Sequence, residues 1–234
     1  MPRLITPTVV ADFRNRLCEV AAELYVELGR DGFNMRELAK RLRVSPMTAY
    51  RYFKDKNEIL ASLRARAFAR FADRLEIAQA VSDSQGEKNV AIVRAYVQFA
   101  LDEPASYRLM FDLFQSGGHT LPELALQERR ARAALVEHAR LMVKEGILEG
   151  DPELIGQVFW SALHGVVALH LVGSLCASEF ENVLSETMRA LVGAFHGDFP
   201  PRVSAVGAWP AFRIRDQQKT ALNYSDLAVL SAAE

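Results

Sequence analysis

The sequence predicts an all-α protein, with an N-terminal three-helix head containing a helix-turn-helix and a larger helical body. Three observations carry this. Apolar residues recur every three or four positions along most of the chain, the period of an α-helix with one buried face. Capping residues such as Asn34, Ser45 and Asp151 stand just before those runs. No run sustains the alternation of a strand, and there is no internal repeat. With 234 residues, 50% of them hydrophobic, the chain is long enough for one large or two small domains.

Phe13, Leu17, Val20, Ala21, Leu24 and Leu28 form the first helical face, and Gly29 and Gly32 stand where that helix should stop. Asn34, with Glu37 three residues on, announces a second helix in a capping-box arrangement. Met35, Leu38, Ala39 and Leu42 line its inner face. Arg43-Val44 makes the turn. Ser45 caps a third short helix, whose first turn accepts Pro46 because that N–H has no helical partner. Ala49 and Phe53 face inward. A long helix follows over about 56–80, with Ile59, Leu60, Leu63, Ala67, Phe71 and Leu75 inward.

Ser82 to Lys88 is polar and holds a glycine, so it reads as the loop between head and body. Further helices are expected over about 90–101, 104–115 and 122–145, with 116–119 as a loop and Gly146 as a stop. Asp151-Pro152 opens a nearly all-apolar helix. Ser178 is expected to cap a last one, lined by Phe180, Leu184, Met188, Leu191 and Phe195. The expected division is therefore a head over 1–60, a regulatory body over 61–196 and a C-terminal extension over 197–234 without an assigned role.

The net charge is -1, so the chain as a whole is not basic. From Asn34 to Lys56, however, seven basic residues face two acidic ones, a local +5. That asymmetry suits a head that meets phosphates and a body that does not. Cys18 and Cys176 lie in apolar helical patterns and read as buried free thiols. Met1 to Val10 lacks the layout of a secretory signal. The apolar stretch 154–176 is broken by Gln157, Ser161, His164 and His170, which argues for a buried helix over a membrane span. The expected compartment is the cytoplasm.

Two short helices at a tight turn match the DNA major groove, with the second helix entering N-terminal end first. Met47, Thr48 and Arg51 are then candidates for base edges. Arg51 suits a guanine, Thr48 and Met47 a thymine methyl. Tyr50, Tyr52, Lys54 and Lys56 are candidates for phosphates, as are Ser45 and Arg36. In the body, Tyr96, Phe99, Tyr107, Met110, Phe111, Phe114, Phe159, Trp160 and His164 are candidates to line a cavity for a small apolar or aromatic effector.

Gly32-Phe33, Arg36, Ala39, Val44-Ser45, Thr48, Tyr50, Tyr52-Phe53, Lys56 and Leu60 together resemble the signature of the TetR family of transcriptional regulators. Pro104, Tyr107 to Phe111 and Trp160 to Gly165 resemble a C-terminal domain variety of that family named for its Trp, His and Gly. Arg43 departs from the pattern where a glycine is common, and Ala49 where a larger residue is usual. The resemblance implies a regulator, usually a repressor, that binds a double-stranded palindromic operator as a homodimer through the last two helices, about 151–195. The half-sites of a two-fold dimer lie about one helical turn, roughly 34 Å, or more apart.

Other functions find less support. Ser161 and His164 are three apart, but no carboxylate is spaced to orient the histidine and no Gly-x-Ser-x-Gly turn occurs, so no catalytic residue is assigned. The five histidines lack metal-ligand spacing, and no glycine-rich phosphate loop exists, so no metal or cofactor is expected. The competing reading is a helical small-molecule carrier or protein-interaction module that does not read DNA.

Overall fold

The computed structural model describes residues 7–80, 85–111 and 121–196. Among them all regular structure is helical: α1 Pro7–Gly32, α2 Met35–Arg41, α3 Pro46–Tyr50, α4 Lys56–Ala80, α5 Gln85–Asp102, α6 Pro104–Met110, α7 Pro122–Lys144, α8 Pro152–Leu171 and α9 Ala177–Phe195. Phe114, the 116–119 loop and the 197–234 extension lie outside the described residues.

The local signals act much as the sequence implies. Gly29 takes φ 65° and ψ −173°, a conformation that breaks the regular path of α1 before its last three residues. Asn34 Oδ1 accepts from the backbone N–H groups of Arg36 (3.1 Å) and Glu37 (3.0 Å). The Glu37 carboxylate turns to Lys40 (3.6 Å), leaving Asn34 to cap from its own side. Ser45 Oγ accepts from Thr48 N–H (3.2 Å), and Asp151 Oδ1 from Glu153 N–H (3.0 Å). Arg43 stands at φ 56°, so the turn between α2 and α3 is left-handed at a non-glycine residue, at some conformational cost.

Three expectations at element boundaries change. The polar 82–88 segment is shorter as a loop, because Gln85 already begins α5. The last helix is capped at Cys176, not Ser178: Cys176 N–H donates to Glu179 Oε2 (2.8 Å). That same position places Cys176 at an exposed helix start, which corrects the expectation of a buried thiol. Cys18 is buried, and burial pushes its thiol pKa up. The helix expected over 104–115 is described only as Pro104–Met110.

Two cores share α4. Near its start, Ile59, Leu60 and Leu63 pack with Leu17, Leu24, Phe33 and Leu38 of the head. Farther along, Phe68, Phe71 and Leu75 pack with Tyr96, Phe99 and Leu163 of the body. Burying each such large side chain contributes about 1.5–3 kcal/mol. Small residues bring α4 and α7 together, with Ala65 and Ala72 of one and Ala131 and Ala134 of the other in the same core. Leu109 of α6 belongs to the head cluster, while Tyr107 and Met110 of the same helix belong to the body cluster. The short α6 thus bridges the two cores. Between α7 and α8 the backbones approach closely at Gly156, where a Cβ would stand 3.1 Å from Val136 Cα.

Candidate nucleic-acid interface and body cavity

The head presents the short helix α3 on a rigid base. Ala49 and Phe53 anchor it in the head core, which turns Met47 (71% exposed) and Tyr50 (47% exposed) outward. Arg51 and Lys54 are also exposed, as is Arg36 on α2. No ion pair holds Arg36, Arg43 or Arg51 among the described residues, so their charge faces solvent. Thr48 is half-buried, and its hydroxyl lies 2.9 Å from Ser45 Oγ. The cap therefore already engages both hydroxyls, and the Thr48 methyl is the part of that side chain left for contact.

Two of the sequence candidates are tied into the head. Tyr52 is half-buried, its ring 4.7 Å from that of Phe13. Lys56 Nζ donates to the Arg30 carbonyl at the end of α1, with the Phe33 ring 5.9 Å away, and desolvation pushes its pKa down. Both side chains are held by partners distant in sequence. Arg41 is likewise engaged: its guanidinium meets both Glu27 carboxylate oxygens, at 3.0 and 2.6 Å.

Arg14 was invisible as a functional residue in the sequence. It donates to the Tyr52 carbonyl (2.6 Å), stacks on Phe53 at 4.2 Å and lies 3.5 Å from Glu58. It thereby fixes the segment that follows α3 against α1. Its partners are 38 and more residues away, so no local motif could have marked it.

In the body, Tyr96, Phe99, Tyr107, Met110, Phe111 and Trp160 pack into the core. Tyr96 and Tyr107 share a hydrogen bond between hydroxyls (2.8 Å), and Tyr107 Oη lies 2.8 Å from His164 Nδ1. A chain in which Tyr96 donates to Tyr107 and Tyr107 to His164 satisfies all three groups. Burial pushes both phenol pKa values up and that of His164 down, so the chain is neutral. Phe111 packs on His164 (4.2 Å) and Trp160 (6.2 Å). Phe99 and Met110 are fully buried beside them. Ser161 Oγ donates to the Gln157 carbonyl (2.8 Å) in its own helix, so Ser161 and His164 do not form a nucleophile–base pair.

A cavity of about 780 Å³ lies elsewhere, between α5, α7, α8 and α9. Among the described residues expected to line a ligand site, Phe159 lines it. Interlocking aromatic rings fill the space around Tyr107, and this cavity opens where Val97, Met142, Leu148 and Met188 line it. His138, not singled out in the sequence, lines this cavity too.

α8 is long and apolar enough to cross a membrane by length and composition, yet only 28% of its most apolar window is buried in the chain. Leu169 (48%) and Val172 (62%) at its end are exposed.

The comparisons with known proteins agree with this arrangement. Residues 17–63 match the model of bacterial regulatory proteins of the tetR family. Residues 90–197 match that of the tetracyclin repressor-like C-terminal domain. The HTH-type transcriptional regulator Mb1846 of Mycobacterium bovis is 27% identical over 110 residues, 46% of this chain and 47% of the relative. YobS of Bacillus subtilis, described as an uncharacterized HTH-type transcriptional regulator, is 27% identical over 92 residues, 39% of this chain and 47% of its own. The chain thus matches about half the length of these curated relatives. A Rhodococcus protein of unknown function superposes with a TM-score of 0.68 at 22% identity, covering 78% of this chain and 94% of the other. The TetR family transcriptional regulator PfmR of Thermus thermophilus gives 0.59 at 21% identity, covering 75% and 97%.

Proposed function

This chain belongs to the TetR family of bacterial regulatory proteins, and from that premise we propose that it is a DNA-binding transcriptional regulator. The observation that carries the reading is the capped helix α3, held by Ala49 and Phe53 in the head core with Met47, Tyr50 and Arg51 outward. Residues 1–60 act as the reading head and 61–196 as the regulatory and dimerising body. Met47, Thr48 and Arg51 read base edges. Arg36, Tyr50 and Lys54 hold phosphates, and Arg43 adds charge beside them. Tyr52 and Lys56 serve the interface chiefly by holding the segment in place.

The partner for the exposed apolar side of α8 is a second copy, paired through α8 and α9. Burying that face removes apolar surface from water without a membrane. The dimer sets two heads on an inverted repeat in the cytoplasm, where it represses. A small apolar effector enters the cavity between α5, α7, α8 and α9, favours a body conformation in which the heads no longer match the half-sites, and releases the DNA.

Fluorescence anisotropy with a labelled random duplex over a salt series tests the first step. Phosphate contacts release counterions, so log K should fall linearly with log salt, and Lys54→Ala should reduce the slope by about one contact's worth. A chain with no salt-dependent affinity for duplex DNA is instead a carrier or interaction module.

A further inference from the structure

Resting on the reading of the body cavity as the effector site, we infer that its ligand is an uncharged, mostly apolar molecule whose buried polar group is a hydroxyl paired with His138. The cavity, about 780 Å³, is of the size that takes drug-sized ligands. Its polar lining is sparse. Arg94, Gln98, Glu181 and Ser185 are solvent-exposed residues and stand at its mouth. His170 is engaged through Nδ1 with the Leu175 carbonyl (2.9 Å), its ring stacked on Phe180 at 4.4 Å.

His138 differs from all of these. It lies on α7 among the apolar wall residues Leu135, Ala139 and Met142 and is half-buried; its Nδ1 is shut off from water without a hydrogen-bond partner, which leaves Nε2 as the nitrogen the ring can offer to the cavity. Desolvation pushes its pKa down to about 4, so the ring is neutral near pH 7. A neutral imidazole offers one donor and one acceptor nitrogen. A hydroxyl both donates and accepts, so it meets either tautomer. An ether only accepts. A carboxylate or ammonium would lose its water in an apolar cavity. The charged residues that line the cavity, Arg94 and Glu181, are of opposite sign and exposed to solvent.

Isothermal titration calorimetry of the full chain with 4-octylphenol, its methyl ether and 4-octylbenzoate tests this. The phenol should bind about tenfold more tightly than the ether, a difference of about 1.4 kcal/mol, and the benzoate more weakly than both. His138→Leu should abolish the preference for phenol over ether while the ether still binds. His138→Gln, which keeps a donor and an acceptor, should retain it. Equal binding of phenol and ether, a preference that survives His138→Leu, or tightest binding by the benzoate overturns the inference. The same compounds added to a protein–duplex complex separate the two readings. A phenol preference without DNA release rejects the effector role and leaves the hydroxyl chemistry standing. Release by all three compounds alike keeps the effector role and rejects the hydroxyl. Failure of every compound to bind rejects both.

Discussion

Removing the Tyr107 hydroxyl should weaken the body far more than the loss of one oxygen implies. Tyr107 stands between Tyr96 and His164, with hydrogen bonds of 2.8 Å on each side. Tyr107→Phe deletes both, at about 1 kcal/mol each, and strands the Tyr96 hydroxyl and His164 Nδ1 with a desolvation penalty of their own. Tyr96 is fully buried, so water does not readily replace the lost partner. The expected loss is about 2–4 kcal/mol, which lowers Tm on the order of 10 °C for a chain of this size. The assay is calorimetric unfolding at fixed protein concentration, since a dimer's Tm depends on it. The pair Tyr96→Phe with Tyr107→Phe should cost less than the sum of the single changes, because the double variant strands one group fewer. A loss under about 0.5 kcal/mol for Tyr107→Phe, or strict additivity, would refute the idea that the three groups act as one chain.

Three further outcomes follow from the same structure. His138 titrates near 4 when folded and near 6.5 when unfolded. The unfolded chain therefore binds more protons in that window, and stability should be full above about pH 6.5 and fall as pH drops toward 4. A pH series of Tm checks this, and His138→Leu should flatten the slope. Carboxylates held low by partners, such as Asp102 beside Gln98 and Arg74, act only at the acid end. Leu169→Glu on the exposed end of α8 should yield a folded monomer, read by analytical ultracentrifugation; an unchanged dimer would move the interface away from this helix. Arg51→Ala should relax preference at one base position, whereas Tyr50→Ala should weaken binding to all sequences alike, and a motif comparison of the two variants distinguishes reading from positioning.

What was legible in the sequence was what is local. Asn34, Ser45 and Asp151 cap because their side chains reach N–H groups two or three residues on. Arg43 stands where the resembled family commonly has glycine, and its φ of 56° shows that the turn is left-handed at this residue. The outward turn of Met47 and Tyr50 follows from the inward turn of Ala49 and Phe53 on one short helix. Partners distant in sequence were not legible. Lys56 is held by a carbonyl 26 residues back, and Arg14 by one 38 residues ahead. Cys176 sat in an apolar pattern that did not reveal a helix start. The cavity beside His138 was not legible because composition marks which residues are apolar, not whether their packing closes. Tyr96, Tyr107 and Phe111 fill their space, while the aliphatic residues around His138 leave a gap.

The most direct test of DNA reading by a dimer is selection of bound duplexes from a random pool with the purified chain, followed by sequencing. Enrichment of an inverted repeat, with half-sites set by the two-fold spacing of the heads, is the expected result. Binding without sequence preference, or enrichment of a single half-site with no repeat, would contradict it.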